Sequence, residues 1–212
     1  AKFDIGTRLV TGHGRVLRYA KATAEVSSTN FGLKFWYKLA DGISYTAPLQ
    51  TQAVGDTTIK VDAGGAAAVA KDELKGGYII VHTHANSYNQ NRLIIGNTLA
   101  DSDGYTTITV DGPWTIAITV AFGVEVIQNP YSCVRVMQAA HGGADHYSSV
   151  AGMPLCKTTA ANQYLWLQTW GPIWINPHGG SLQDADLVND ERQLVFDFEG
   201  SVCVVEDAVD TT

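Results

Sequence analysis

A chain of 212 residues, 45% hydrophobic and 17% charged, holds enough apolar material for one large or two small folded domains and is too apolar for disorder. No run reaches the roughly 18 apolar residues needed to span a bilayer, and residues 1–4 (AKFD) lack the apolar core of a secretory leader, so a soluble chain is expected. The net charge of −7 argues against a general nucleic-acid binder, and the three distant cysteines, Cys133, Cys156 and Cys203, argue for reduced thiols in a cytosol over a disulfide framework or structural zinc.

In chain order, residues 1–24 (AKFDIGTRLVTGHGRVLRYAKATA) have short extended patterns broken at Gly6, Gly12 and Gly14, and read as an arm plus a hairpin. Residues 33–39 form an aromatic-rich strand candidate before the Asp41-Gly42 turn, and residues 57–62 alternate with Ile59 and Val61 on one face. Residues 66–75 are alanine-rich and predict a short helix stopped by Gly76-Gly77. Strands are expected at 78–84, 91–96 and 105–110, in series as a meander, then at 115–120, 123–127, 133–137, 193–198 and 201–205. Residues 139–152 (AAHGGADHYSSVAG) are small and polar, and read as a junction or surface loop. Short strands separated by Gly-rich turns predict an all-β chain of antiparallel sandwich or barrel lobes, with an extended N-terminal arm and at most one short helix. The implied division is 1–24 as arm and hairpin, 25–138 as a first lobe, and 139–212 as a second segment with an acidic end.

The densest signal is residues 163–175 (QYLWLQTWGPIWI), where Trp166, Trp170 and Trp174 fall within nine residues. A spacing of four suits one helix face or one strand face, but Gly171-Pro172 opposes a helix, because proline lacks the amide hydrogen and restricts the residue before it. The segment therefore reads as a strand over 164–170, a break, and a second strand. Tyr164, Trp166 and Trp170 are expected on one face and Leu165 and Leu167 on the other, both buried in a core or an interface.

Charge is unevenly distributed. Residues 1–38 carry seven lysines and arginines against Asp4 and Glu25, whereas residues 184–212 carry nine carboxylates and only Arg192. Such ends are able to pair between copies or with an acidic neighbour; the plainer reading is solvated surface charge.

Catalytic signals are sparse. His82 and His84 form a His-x-His pair that a strand would point to one side, as a metal site needs, and the frame somewhat resembles the first cupin motif. No glutamate follows where a cupin has one, and no histidine follows Gly171, Pro177 and Gly179, so the plainer reading of the pair is two exposed or hydrogen-bonded strand histidines. Asp145, His146, Ser148 and Ser149 lack a nucleophile-elbow frame and read as a polar loop. Residues 101–104 (DSDG) open like a calcium loop but lack its later ligands, which leaves a turn. No phosphate-cradling glycine motif is present. No catalytic residue, cofactor or metal is assigned.

Several segments, in order, resemble structural proteins encoded by tailed bacteriophages, of the capsid decoration or cement kind. They are residues 5–8 (IGTR), 14–22 (GRVLRYAKA), 75–78 (KGGY), 95–98 (IGNT), 127–131 (IQNPY) and 163–172 (QYLWLQTWGP), with the second and last the most specific. The resemblance ends after Gly171, so the acidic C-terminal end lies outside it. It implies a non-enzymatic, β-rich protein, often trimeric, made in the host cytoplasm and placed on the outside of the capsid. Its partners would be the major capsid protein and neighbouring copies, with no membrane and no direct nucleic-acid contact. The basic arm suits strand addition to a neighbour, and Phe3, Ile5, Arg8, Arg15, Arg18, Tyr19, Trp166 and Trp170 are the expected interface positions. On that reading, deleting residues 1–24 abolishes incorporation into particles and leaves the fold intact. The alternatives are a tail or receptor-binding virion component, a metal-dependent cupin-like enzyme using His82 and His84, and a carbohydrate-binding β-sandwich using Trp166 or Trp170.

Overall fold

The computed structural model describes residues 1–35, 47–63, 69–82, 89–136, 149–176, 194–196 and 200–204. In chain order its strands are β1 (Arg8–Val10), β2 (Val16–Lys21), β3 (Leu33–Phe35), β4 (Thr58–Asp62), β5 (Tyr78–His82), β6 (Asn89–Asn97) and β7 (Tyr105–Val110). There follow β8 (Gly123–Ile127), β9 (Val134–Val136), β10 (Val150–Pro154), β11 (Tyr164–Trp170), β12 (Leu194–Phe196) and β13 (Val202–Val204). No helix occurs among the described residues, and the chain is all-β. It divides into one unit of residues 1–36 with 130–212 and another of residues 37–129. The N-terminal hairpin thus belongs with the chain beyond residue 130, and the boundaries at 24 and 138 expected from composition are not those of the compact units.

The first unit contains a sheet in the order β1-β2-β11-β10-β3-β9, with each neighbouring pair antiparallel. The far strand then returns to the second: Lys21 N donates to Tyr131 O and Thr23 N to Val134 O, each at 2.9 Å, with a parallel bridge between Ala22 and Val134. The sheet therefore curls into a half-closed barrel. Ala20, Ala22, Leu33, Val134, Leu165 and Leu167 fill it. Leu165 lies directly opposite Ala20, so a small residue on β2 makes room for a large one on β11. Fully burying each leucine or valine contributes about 1.5–3 kcal/mol. A two-stranded ribbon, β12-β13, belongs to the same unit.

β10 occupies the end of the small-residue stretch read as a loop. Gly152 explains the difference: its φ is +149°, and a Cβ there would lie 2.9 Å from Gln168 O and 3.1 Å from Leu167 Cβ. The smallness serves a close approach of strands, not a flexible connection. Residues 139–148 lie outside the described residues.

The position of β2 overturns the expectation that residues 1–24 are dispensable to the fold. β2 is an inner strand, paired with β11 from Lys21↔Tyr164 to Val16↔Trp170, and it supplies Ala20 and, just past its end, Ala22 to the core. Removing it removes one wall of the barrel.

The second unit is a five-stranded antiparallel sheet, β4-β7-β6-β5-β8, in which β5, β6 and β7 form the expected meander. Period-two alternation sends Ile59, Val61, Ile79, Val81, Ile108, Val110, Val124 and Val126 to one buried face. Trp114, fully buried, closes that core and satisfies its indole N–H by donating to Thr58 O at 3.1 Å. Two local expectations fail here. Residues 115–120 make one isolated bridge, Ile118 with Gln52, and no strand. Residues 71–76 are successive turns and no helix, with residues 66–68 outside the described set. The physical reason is Asn97: its side chain accepts from Leu74 N at 2.9 Å and donates to Ala70 O at 2.9 Å, and its carbonyl accepts from Asp72 N at 3.0 Å. Those are backbone groups that an intrahelical ladder would have used.

Candidate functional site

The signals of the N-terminal arm and of the tryptophan segment converge on β1, β2 and β11 of the first unit. On the outer face of this sheet Tyr19 lies opposite Trp166. Phe3 folds back over both, 5.3 Å from the Tyr19 ring and 5.4 Å from the Trp166 ring, while Tyr164 stacks on Tyr19 at 5.6 Å with 5° between planes. Tyr19 is buried, Trp166 half-buried, and Tyr164 39% exposed. The N-terminal residues are held in place by further bonds: Gly6 N donates to Tyr19 O at 2.8 Å, and Arg18 Nη1 donates to Gly6 O at 2.9 Å. Phe3, Tyr19 and Trp166 are therefore brought together inside one chain, and the aromatic cluster is packing within the subunit, while Arg18 points to the other face of β2. Ile5 is half-buried beside it, and Arg8 is exposed on β1.

Trp170 is elsewhere. The pairing of β11 with β2 shifts between Gln168, opposite Leu17, and Trp170, opposite Val16. Residues opposite one another in an antiparallel pair share a face, so this bulge places Trp170 on the side of Val16 and Arg18, opposite to Trp166. Simple alternation along the strand predicted a shared face and is corrected by the bulge. Because Val10 is in turn opposite Val16, a row Val10–Val16–Trp170 crosses three strands, with Arg8 and Arg18 facing each other in the same sense one step along. The two ends of the row are uncovered, Val10 being 52% and Trp170 74% exposed, with Val16 half-buried between them, which overturns burial on both faces of β11.

Gly171-Pro172 ends β11 as expected, but residues 172–176 form no second strand. A strand there would need ladder partners, whereas this corner is organised by one side chain. Gln168, 3% exposed, accepts from Arg15 Nε at 2.6 Å and donates from Nε2 to Gly171 O and Pro172 O, each at 2.9 Å. Gly171 is required: its φ is +97°, and a Cβ would lie 3.2 Å from Arg15 Cα. The corner presents Ile173 and a second exposed indole, Trp174, at 63%. Beside it runs a groove of about 820 Å³ lined chiefly by Tyr131, Met153, Trp170, Pro172, Ile173 and Phe196. Val10, Val16, Gln168 and Trp174 were not singled out from sequence as interface positions. A polar residue between Leu167 and Thr169 in an otherwise apolar strand was the one available hint for Gln168.

Of the two metal candidates only His82 lies among the described residues. His82 is half-buried on β5 with its ring against Gly123, at a spot where any side chain on residue 123 would collide with it. His84 lies outside the described residues, as do Asp145, His146 and Ser148. Among the described residues no three histidine, cysteine or carboxylate side chains gather as metal ligands would. Asp101 does make a turn, accepting from Asp103 N at 3.1 Å and Tyr105 N at 2.8 Å. The Tyr105 amide, followed by Lys60 3.3 Å away and the Asp103 amide, holds its carboxyl below the ordinary carboxylate range. No helix among the described residues is long and apolar enough to cross a membrane.

Comparison with known proteins finds no matching family model. No curated protein and no solved structure matches the chain either.

Proposed function

We propose that the protein is a non-enzymatic structural component of a tailed-phage virion, one that decorates the outside of the capsid and reinforces it through repeated surface contacts. The observation that supports this reading most is the exposed Val10 and Trp170, in one row with the half-buried Val16, beside the exposed Arg8 and the Trp174 corner. Exposed tryptophan and arginine on a rigid sheet are the residue types that carry binding energy at protein interfaces. A modest contact per copy suffices when many identical copies act together. The phage context rests on the sequence segments, two of which, 14–22 and 163–172, form β2 and β11 of this surface. Electron microscopy and mass spectrometry of particles purified from the source test the proposal. Density on the capsid exterior, in copies matching its lattice, is expected. A few copies at one vertex would move the protein to the tail, and absence from particles would end the reading.

A second reading is favoured by one specific observation. Trp170 and Trp174 are both largely solvent-exposed, as sugar-stacking indoles in a carbohydrate-binding sandwich are. Glycan-array binding that disappears in a Trp170→Ala, Trp174→Ala variant would establish it, and a blank array would dismiss it.

A further inference from the structure

We infer that the exposed basic–apolar face of the β1–β2 hairpin is the docking site for the acidic residues 205–210 (VEDAVD) of a second copy of this chain, joining copies head to tail. The inference deepens the assembly reading above and rests on it only in using the same face.

Three observations carry it. First, the face is built of two kinds of group in adjacent rows: Arg8 opposite Arg18, then Val10, Val16 and Trp170 in line. Of these cations Arg8 is exposed, whereas Arg18 is half-buried and donates to Gly6 O, and residues 8–21 hold no carboxylate. An exposed arginine beside the exposed Val10 and Trp170 fits a ligand that is itself both acidic and apolar. Second, among the described residues no strand pairs with the far edge of β1. Tyr19 N donates to Thr7 O at 3.0 Å and Thr11 N to Arg15 O at 2.9 Å, so the odd-numbered residues face β2. The amide and carbonyl groups of Arg8 and Val10 consequently point outward, where an extended segment is able to pair with them. Third, the chain carries the complement. Residues 205–210 interleave Val205, Ala208 and Val209 with Glu206, Asp207 and Asp210, within a stretch of nine carboxylates and one arginine over residues 184–212. The apolar members suit the valine–tryptophan row and the carboxylates suit the arginines beside it.

Basic face and acidic segment are different surfaces, so the contact is heterologous. Repetition closes a ring or extends a chain, according to the rotation between copies. Part of the attraction is between exposed charges and is screened over about 8 Å at physiological ionic strength, so the association weakens with added salt.

The test is sedimentation velocity of the full chain across the micromolar range. The wild-type sedimentation coefficient is expected to rise with concentration, and less so in high salt. Trp170→Ser and Arg8→Glu alter exposed side chains and leave the fold intact by circular dichroism. Each is expected to weaken association about tenfold or more, as interface tryptophan and charge reversals do. A variant with Glu206→Lys, Asp207→Lys and Asp210→Lys is expected to be monomeric alone and to associate again when mixed with Arg8→Glu, because each then supplies the half that the other lacks. Wild-type protein that stays monomeric throughout, association indifferent to these changes, or a mixture that stays monomeric overturns the inference. Particle incorporation is scored separately. Incorporation without solution association removes the head-to-tail contact alone, and association without incorporation removes the virion reading alone.

Discussion

Replacing Gln168 by methionine keeps side-chain length and removes the three side-chain hydrogen bonds that Gln168 makes to Arg15, Gly171 and Pro172 at the Trp170–Trp174 corner. The side chain is 3% exposed and makes three bonds: one from the Arg15 guanidinium at 2.6 Å and two to the carbonyls of Gly171 and Pro172 at 2.9 Å. A bond to a charged group contributes about 1.5–3 kcal/mol and each neutral one about 0.5–1.5 kcal/mol. Pro172 is exposed and Gly171 half-exposed, so water partly replaces what is lost and the lower ends apply. Their total is about 2.5 kcal/mol. With a urea m-value of about 2 kcal/mol/M, the unfolding midpoint of the first unit falls by about 1 M. Amide exchange is expected to quicken at residues 171–176 and to stay unchanged in β4–β8, which belong to the other unit. A midpoint shift below about 0.3 M, or uniform acceleration across both units, would refute the assignment of Gln168 as the pin. The charged isostere sharpens the test. Gln168→Glu keeps the Arg15 contact and sets a carboxylate against two carbonyls, so its destabilisation should shrink as the pH falls through the carboxylate range and the acid regains a donor.

Three further outcomes are expected. Phe3→Ala uncovers the Tyr19–Trp166 pair; as Phe3 is itself 43% exposed, the cost is about 1–2 kcal/mol by thermal melt, with faster acrylamide quenching of tryptophan fluorescence. Gly171→Ala forces a side chain into a φ of +97° and against Arg15, lowering stability by about 1–3 kcal/mol in urea titration. Asp101 titrates below its ordinary value in the folded chain, so its contribution is present above the unfolded carboxylate pKa and lost as pH falls through the lowered folded one. Carbon-detected NMR titration of the Asp101 carboxyl shows that low value directly, and Lys60→Met raises it toward normal.

Much of the fold was legible because strand-forming patterns are local. The segments 105–110, 123–127 and 164–170 coincide with β7, β8 and β11, each an apolar or β-branched run closed by a turn residue. Most of the aromatic cluster was named from sequence as well, since Phe3, Tyr19 and Trp166 stand out by type. Their role was not legible. Whether Trp166 meets a partner chain or its own N-terminus depends on where residues 1–7 fold back, and nothing near residue 166 encodes that. β10 was missed because a strand built around Gly152 has the composition of a loop until β11 is seen so near that a Cβ at residue 152 would lie 2.9 Å from Gln168 O. The turns at 71–76 replaced a helix because the competing partner, Asn97, sits on a different strand.

The same division holds for the tryptophan segment. By itself the sequence determined that residues 164–170 are a strand ended by Gly171-Pro172, because alternation and the missing proline amide act through bonds to immediate neighbours. Only the tertiary structure decided which tryptophan is packed and which is offered to solvent. A bulge exists solely as a mismatch between two paired strands, and the one between β11 and β2 sends Trp166 to Phe3 and turns Trp170 out on the opposite face.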